Sequence, residues 1–314
     1  VRLHDGTRMK PMRVGWIGCG KLGRPMAAHL IAAGHAVIAH DVDSGALGAL
    51  VAQGASAARS IAEACDGAEI VFTSLPDDRV LVDVGCSPSG VLAHLHEGSV
   101  FVDTSTVSPS ASAAVASRAR DLGRRYLRVA VSGNPVLAEA AQLTAFASGD
   151  HADFAVVEPL LAHFSKRIFH VGPDEQARTL KLVINLMIAV SAGMLGEALA
   201  LGEKGGLDWQ QMLEVVTESA VGSPMVRYKT PPLSKRDYTS TFSCEQMAKD
   251  LDLILAASAQ YQAPVPLAAQ MRQIYQALIA GGQGGDDYIA TVHHAERQAG
   301  LDISANPGAR PENA

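Results

Sequence analysis

Three glycines near the start of the chain have the spacing of a loop that binds phosphates. They form the pattern G-x-G-x-x-G within the segment Gly18, Cys19, Gly20, Lys21, Leu22 and Gly23. In such a loop the first glycine permits a tight turn, the second lets the backbone approach a pyrophosphate, and the third lets a helix pack on a strand. The N–H groups that begin the helix then face the phosphates. Because the segment follows a predicted strand, we predict a dinucleotide site, with an ordinary glycine-rich turn as the competing interpretation.

An acidic residue at the end of the next predicted strand bears on the choice between NAD and NADP. Asp41 follows Gly23 by 18 positions, where a carboxylate can bond the ribose hydroxyls of the adenosine. A carboxylate there repels a 2′-phosphate, and no arginine follows within the turn. We therefore predict NAD as the cofactor, in preference to NADP. Asp43 is the competing acid, but a helix N-cap is the more common role for such a residue.

A lysine at the start of a long apolar stretch could move a proton. Oxidation of an alcohol needs a base within reach of the hydroxyl, and partial desolvation lowers the pKa of a lysine toward that use. Lys181 lies at the start of such a stretch, and Asn185 shares its helix face four residues later. From the residues alone, a solvated lysine on a helix flank is the more common outcome. Asn185 could orient the substrate and Lys181, or it could form a hydrogen bond between helices.

The elements that must position these residues alternate in the first half of the chain and are helical in the second. Short β-branched strands alternate with helices up to Gly172, which predicts a doubly wound, mostly parallel sheet of the Rossmann type with an antiparallel edge possible among its later strands. The predicted strands are 13–17, 36–40, 69–74, 99–103, 125–131, 143–148 and 167–171. The predicted helices after Gly172 are about 174–204, 209–218, 245–260, 267–280 and 286–300. The fold class is thus α/β, with an NAD-binding domain at 12–172, an all-helical substrate and dimerisation domain at 173–300, and flexible termini at 1–11 and 301–314.

Composition excludes several classes of protein. The chain has 314 residues, 48% of them apolar, and a net charge of −6 without a basic run, so we expect a globular protein of two domains that binds no nucleic acid. Its four cysteines are scattered and its histidines lack the spacing of metal ligands, so we predict no metal. The polar start carries no apolar signal core, and the uncharged run 182–196 is shorter than the ~20 residues that span a bilayer. We expect a cytoplasmic protein with no membrane association.

Several motifs in a fixed order resemble the β-hydroxyacid dehydrogenases, a family that includes 3-hydroxyisobutyrate dehydrogenase and tartronate semialdehyde reductase. The resemblance spans about residues 12–299. Besides the glycine-rich loop it rests on Ser74-Leu75-Pro76, Asp103-Thr104-Ser105-Thr106, Val131-Ser132-Gly133, Lys181 with Asn185, and Lys249-Asp250. It implies the following roles: a lining for the nicotinamide from Leu75, Pro76 and Thr106, and an approach to cofactor and substrate by Lys249. It also favours Lys181 as general acid and base over the solvated alternative. Ser132 and Gly133 would then bind the substrate carboxylate through hydroxyl and backbone N–H groups.

One segment departs from the family pattern. Where relatives commonly read Asp-Ala-Pro-Val-Ser-Gly-Gly, this chain reads Arg-Val-Ala-Val-Ser-Gly-Asn over residues 128–134. Asn134 thus adds a polar side chain to the predicted substrate site. Arg128 could add a second contact to an anion or point into solvent.

We therefore expect an NAD-dependent oxidoreductase that interconverts a small 3-hydroxy acid and its semialdehyde or keto acid. An imine or other carbonyl reductase shares the scaffold but usually lacks a lysine at the position of Lys181. A decarboxylating 6-phosphogluconate dehydrogenase has a much longer helical domain, and a non-catalytic cofactor-binding module would have lost the lysine. Because the apolar surface of the long helix exceeds one amphipathic stripe, we also expect a homodimer or homotetramer.

Overall fold

The computed structural model describes residues 10–301. The flexible termini predicted at 1–11 and 301–314 lie outside this range except for Lys10, Pro11 and Leu301. Contacts within the chain define two compact units, which meet between Leu182 and Val183.

The first unit is built on an eight-stranded sheet with the order β3-β2-β1-β4-β5-β6-β7-β8. Its strands are β1 (Arg13–Ile17), β2 (Ala36–His40), β3 (Ser56–Ala57), β4 (Ile70–Thr73), β5 (Val100–Asp103), β6 (Arg125–Ser132), β7 (Leu143–Ser148) and β8 (Ser165–His170). Neighbouring strands are parallel except for β6 and β7, so the predicted antiparallel edge is confirmed. The short β3 is the one strand in the described residues that the sequence did not predict.

Helices follow the strands and cover both faces of this sheet. They are α1 (Gly23–Ala32), α2 (Ser44–Val51), α3 (Ile61–Cys65), α4 (Asp78–Cys86), α5 (Val91–His94), α6 (Pro109–Asp121), α7 (Pro135–Glu139) and α8 (His151–Leu161). One face buries a core that includes Trp16, Phe72 and Phe164, and the other buries a core that includes Phe101 and Leu92. Apolar packing on both faces is the reason why the central strands read as continuous apolar runs. The predicted α/β class with a doubly wound N-terminal sheet is confirmed.

The second unit is helical. It contains most of α9 (Gln176–Lys204), followed by α10 (Trp209–Glu218), α11 (Pro224–Ser234), α12 (Cys244–Tyr261), α13 (Pro266–Leu278), a π-helical turn (Ile279–Gln283), a 3₁₀ turn (Tyr288–Ala290) and α14 (Thr291–Gln298). The sequence did not predict α11, because Pro231 and Pro232 lie inside it and proline normally ends a helix. Among the described residues α9 alone is long and apolar enough to cross a membrane, and 44% of its most apolar window is buried in the protein.

Candidate active site

The glycine-rich loop joins β1 to α1 at the carboxyl edge of the sheet and is shaped by two close approaches. Gly18 has a φ of +95°, and a Cβ there would lie 2.2 Å from the carbonyl oxygen of Ser74. A Cβ on Gly23 would lie 2.1 Å from the carbonyl oxygen of Gly18. At Gly20, by contrast, no protein atom lies within 4 Å of the position a Cβ would take. The loop is thus closed on its protein side and open beside Gly20, which fits a backbone that a pyrophosphate must approach.

The carboxylate of Asp41 faces this loop. Its Oδ2 accepts from the backbone N–H of Cys19 at 2.5 Å, and its Oδ1 accepts from the N–H of Asp43 at 2.8 Å. Asp43 in turn caps α2 by accepting from the N–H of Gly45 at 2.8 Å. The structure therefore places Asp41, rather than Asp43, next to the glycine-rich loop.

The remaining side chains of the loop differ in exposure. Lys21 is exposed and Leu22 half-buried at the start of α1. Cys19 is buried, and burial together with the nearby Asp41 carboxylate raises the pKa of its thiol to about 12. The thiol therefore stays protonated at neutral pH and does not act as a nucleophile.

The residues predicted to line the nicotinamide lie on the loops that follow β4 and β5. Leu75, Pro76 and Thr106 are all at least partly exposed at this edge of the sheet. The N–H of Leu75 donates to Ser105 Oγ at 2.8 Å, and Thr104 Oγ1 donates to the carbonyl oxygen of Thr73 at 2.7 Å. These bonds tie the two loops to each other.

A fully buried ion pair lies beneath these loops. Arg178 Nη2 donates to Asp103 Oδ2 at 2.5 Å, and both side chains have no exposed surface. Burial lowers the pKa of the guanidinium, but the combined opposing effects of Asp103, Tyr126 and Glu175 outweigh it, and the net pKa is raised. Sequence reasoning quoted Asp103 within a motif but missed Arg178. The one available signal was an arginine three residues before Lys181, at the edge of an apolar segment.

The predicted substrate segment follows β6. Ser132 ends the strand, and Gly133 has a φ of +140° with a Cβ position only 2.5 Å from the Leu143 side chain. Asn134 caps α7, because its Oδ1 accepts from the N–H of Leu137 at 2.9 Å. The amide oxygen of Asn134 therefore has a structural partner, whereas its Nδ2 is not part of that cap.

Arg128 does not point into solvent, which was one of the two arrangements considered from the sequence. It is 5% exposed, and its Nε and Nη2 donate to Glu175 Oε1 at 2.8 Å and 2.5 Å. It is therefore not directed into solvent, and the anion that it binds is a side chain of the protein. The pair is a long-range contact between β6 and the residue that precedes α9, which the sequence pattern does not reveal.

Lys181 lies on α9 one turn after Arg178 and is half-buried. Asn185, one further turn along, is buried and donates from Nδ2 to Asp250 Oδ2 at 2.5 Å. Asp250 Oδ1 lies 3.0 Å from the Nζ of Lys249. In the helical unit the structure thus brings Asn185 and Lys249 together around Asp250, and the hydrogen bond between helices that the sequence left open for Asn185 is present.

A doubly wound sheet with an open glycine-rich loop and a carboxylate beside it defines an NAD(P)-binding dehydrogenase. Two family models match the chain. One is the NAD binding domain of 6-phosphogluconate dehydrogenase, over residues 13–172, and the other is described as NAD-binding of NADP-dependent 3-hydroxyisobutyrate dehydrogenase, over residues 176–295. The chain belongs to the β-hydroxyacid dehydrogenase family.

Individual relatives agree with this family. The chain is 34% identical to 2-(hydroxymethyl)glutarate dehydrogenase of Eubacterium barkeri, over 94% of this chain and 98% of that protein. It is 32% identical to NAD-dependent L-serine dehydrogenase of Pseudomonas aeruginosa, over 88% and 95% of the two chains. The structure of 3-hydroxyisobutyrate dehydrogenase from Mycobacterium tuberculosis with L-serine aligns with a TM-score of 0.81 at 30% identity, over 91% and 99% of the two chains. This protein is therefore an NAD(P)-dependent hydroxyacid dehydrogenase, as the sequence predicted.

Proposed function

We propose that the enzyme oxidises a small 3-hydroxy acid to its semialdehyde or keto acid with NAD, and catalyses the reverse reduction, with Lys181 as general acid and base. The observation that carries the proposal is the position of Lys181. It lies one turn after a residue anchored beneath the loops that bear Leu75 and Thr106. Lys181 therefore lies three residues after a side chain that contacts the loop bearing Thr106.

The residues divide the chemistry among them. The nicotinamide, when bound, accepts or returns the hydride. Lys181 as the free amine takes the proton of the substrate hydroxyl, and as the ammonium it returns a proton to the forming alkoxide. Ser132 Oγ and the N–H of Gly133 hold the carboxylate, with Asn134 Nδ2 as a further donor. Asn185 and Lys249, paired with Asp250, supply polar contacts to the substrate.

The relatives support a substrate whose hydroxyl group is on the β carbon, that is, on carbon 3 counted from the carboxylate. The names of 2-(hydroxymethyl)glutarate dehydrogenase and L-serine dehydrogenase each specify a hydroxymethyl group in that position. The Pseudomonas aeruginosa 3-hydroxyisobutyrate dehydrogenase, 33% identical over 83% of this chain and 90% of its own length, is named for another such acid. We take this shared 3-hydroxy acid unit, rather than any one acid, as the substrate class.

Initial rates of NADH formation over a panel of 3-hydroxy acids test the proposal. We expect Lys181→Ala to lower kcat by about 10²–10⁴-fold, the usual contribution of general acid–base catalysis. Lys166→Ala on the exposed edge strand is the matched control and should keep the wild-type rate. A Lys181→Ala rate close to that of the wild type would remove Lys181 from the role. Absence of turnover with every acid, while NADH still binds, would favour the imine or carbonyl reductase alternative.

The preference for NAD rests on Asp41. Its carboxylate contacts the N–H groups of Cys19 and Asp43, and a 2′-phosphate brought to the same place would meet a negative charge. The ratio of kcat/KM for NAD to that for NADP should be well above one, and Asp41→Ser should lower it by about tenfold or more, since tenfold is 1.4 kcal/mol. A wild-type enzyme that uses both cofactors equally would contradict this preference.

We also propose that a second copy of the chain covers one face of α9. Met187, Met194 and Leu201 are each more than half exposed and lie at intervals of seven residues. Beside them a groove of about 480 Å³ runs between α9, α13 and α14, lined in part by Ala200, Ile274 and Ala295. Exposed apolar surface of this kind is characteristic of an interface, and methionine adapts readily to a partner surface.

Sedimentation equilibrium at micromolar concentration tests the association. The wild type should sediment as a dimer or tetramer, and the double variant Met194→Glu, Leu201→Glu should shift toward the monomer. Val156→Glu, at an exposed apolar position of α8, is the control and should leave the assembly intact. A wild-type monomer would overturn the proposal.

A further inference from the structure

We propose that Arg178 is a positioning residue: its buried ion pair with Asp103 fixes the first turn of α9, and with it Lys181, against the loops that follow β4 and β5. The inference rests on the proposed role of Lys181 and assigns the device that holds this lysine in place. It concerns only residues of the first unit.

The guanidinium of Arg178 is bonded on every side. Nε donates to Ser112 Oγ at 3.2 Å, Nη1 donates to the carbonyl oxygen of Ser105 at 2.8 Å, and Nη2 donates to Asp103 Oδ2 at 2.5 Å. Nη2 also lies 3.3 Å from the hydroxyl of Tyr126. These partners belong to β5, the loop after it, α6 and β6. A planar, forked cation held by four elements has little freedom to shift.

Asp103 connects Arg178 to the two loops through further hydrogen bonds. Its Oδ1 accepts from Thr73 Oγ1 at 2.6 Å, at the end of β4, and from Ser105 Oγ at 2.5 Å. Ser105 Oγ accepts in turn from the N–H of Leu75. A continuous path of hydrogen bonds therefore leads from Arg178 on α9 to the loop that carries Leu75 and Pro76.

A second ion pair, which is partly buried, supports the first with its charges reversed: here the strand carries the cation and the residue before α9 carries the anion. Asp103 and Arg128 are register partners on β5 and β6. Asp103 binds the cation Arg178 of α9, while Arg128 binds the anion Glu175, which precedes α9. If the first turn of α9 were displaced so that Arg178 met Arg128, like charges would face each other with little solvent to screen them. The two pairs therefore define one position for the first turn of the helix.

Positioning accounts for this arrangement better than stability does. A buried ion pair often contributes no more net stability than apolar residues of similar volume, because desolvation offsets the attraction. Catalysis, in contrast, is sensitive to geometry, and a displacement of about 1 Å at a reacting group can cost about 100-fold in rate. Lys181 follows Arg178 by less than one helical turn, so a shift of Arg178 moves the backbone that carries Lys181.

The test compares Arg178→Lys with Arg125→Lys. Arg178→Lys keeps the charge beside Asp103 but removes the forked contacts to Ser105 and Ser112. Arg125 is the matched control: it begins β6, and its Nε donates to Asp153 Oδ1 of α8 at 2.5 Å. For each variant we would measure kcat with the best acid, the Kd of NADH by fluorescence, and hydrogen exchange of the α9 amides without cofactor.

We expect Arg178→Lys to lower kcat by about 10- to 100-fold, to leave the Kd of NADH within about threefold, which is less than 1 kcal/mol, and to speed exchange in the first turn of α9 but not in its later turns. Arg125→Lys should change none of the three. Wild-type kcat in Arg178→Lys, or a loss of NADH affinity as large as the loss of kcat, would overturn the proposal.

A double-mutant cycle separates this proposal from the function on which it rests. If Arg178 acts through Lys181, then Arg178→Lys should not lower the residual rate of Lys181→Ala any further. An equal fold-loss in both backgrounds would show that Arg178 does not act through the lysine. If Lys181→Ala itself retains full activity, the proposed function of Lys181 fails, and faster exchange in the first turn of α9 of Arg178→Lys would still report the structural anchor.

Discussion

The residues predicted to take part in binding and catalysis use different kinds of polar group in the two units. In the first unit the groups predicted to contact the cofactor or substrate are mostly backbone: the glycine-rich loop, the loop at Leu75 and the N–H of Gly133, with the side chain of Lys181 as the main exception. In the helical unit they are side chains, Asn185 and Lys249, gathered around one carboxylate, Asp250. Backbone groups are held by the sheet itself, whereas side chains on helices need a partner that fixes their rotamers. The consequences of substitution should therefore differ between the units.

The largest expected effect separates two glycines of one loop. Gly18→Ala places a Cβ 2.2 Å from the carbonyl oxygen of Ser74 at a φ of +95°, and we expect it to lower the free energy of unfolding by about 3 kcal/mol or more. Gly20→Ala meets no protein atom within 4 Å, and we expect a stability within about 0.5 kcal/mol of the wild type.

Gly20→Ala should instead weaken the binding of the cofactor. Gly20→Ala should raise the Kd of NADH at least about tenfold, or 1.4 kcal/mol, because its methyl group occupies the space beside the open backbone. Urea unfolding and fluorescence titration check the two quantities. A Gly20→Ala variant with wild-type NADH affinity would show that the pyrophosphate does not approach this glycine.

Two titratable residues, one in each unit, should change the stability with pH in opposite directions. Burial and the neighbouring His35 lower the pKa of His163, in the first unit, to about 4 from an ordinary 6.5. The unfolded chain then binds more protons, so this residue removes stability as pH falls from 6.5 to 4. Burial raises the pKa of Glu296, in the helical unit, from 4.5 to about 7 against the opposing effect of Arg236. Here the folded chain binds more protons, so stability is lost as pH rises from 4.5 to 7.

Each shift of about 2.5 pKa units sets an upper limit of about 3.4 kcal/mol, at 1.36 kcal/mol per unit, and solvent screening makes the effect of the partly exposed His163 smaller. His163→Gln should reduce the loss of stability in acid, and Glu296→Gln should reduce the loss toward neutral pH. Urea unfolding curves between pH 4 and pH 8 measure both slopes. Unchanged slopes in either variant would mean that the corresponding group does not titrate as its burial indicates.

The sequence predicted the first unit well because its signals are local. The bounds of β1, β2 and β7 agree with the structure, since each is a short apolar run with polar or glycine neighbours. The glycine-rich loop and Asp41 lie in one short strand–helix–strand segment, so they can be recognised without knowledge of the rest of the fold. In the helical unit α11 was missed because its prolines outweigh its apolar pattern.

The sequence did not predict which residues far apart in the chain form ion pairs. Arg178 and Asp103 are 75 residues apart, and Arg128 and Glu175 are 47 apart. An arginine near the start of a helix has many possible partners, and only the folded sheet brings β5 and β6 next to Arg178. For the same reason the sequence left the environment of Arg128 open. Resemblance to a family supplied Lys181 and the pair Lys249-Asp250, but it did not show that Asp250 accepts a hydrogen bond from Asn185.

Substitution of Asp250 tests whether the polar side chains of the helical unit need this carboxylate as a fixed partner. Asp250→Asn removes the negative charge that the Asn185 amide and the Lys249 ammonium share. We expect a loss of about 1–3 kcal/mol of stability, the cost of an imperfectly paired buried group, and a fall in kcat/KM of about tenfold or more, or 1.4 kcal/mol. Asp252→Asn is the control: this exposed residue lies on the same helix and pairs with Arg272 at 2.7 Å, and it should leave kcat/KM unchanged. An equal change in kcat/KM for the two substitutions would show that Asp250 has no specific role in holding Asn185 and Lys249.

The smallest expected effect concerns Asn134, where backbone and side-chain roles meet in one residue. Its Oδ1 caps α7, while its Nδ2 is proposed to contact the substrate. Asn134→Ser keeps a capping oxygen and loses the amide donor, whereas Asn134→Ala loses both. We expect only the alanine variant to lose about 1 kcal/mol of stability, and both variants to raise the KM of the acid by a similar factor, about threefold to tenfold for one hydrogen bond. If Asn134→Ser keeps both wild-type stability and wild-type KM, Asn134 acts solely as a helix cap, and substrate binding in this segment rests on Ser132 and Gly133.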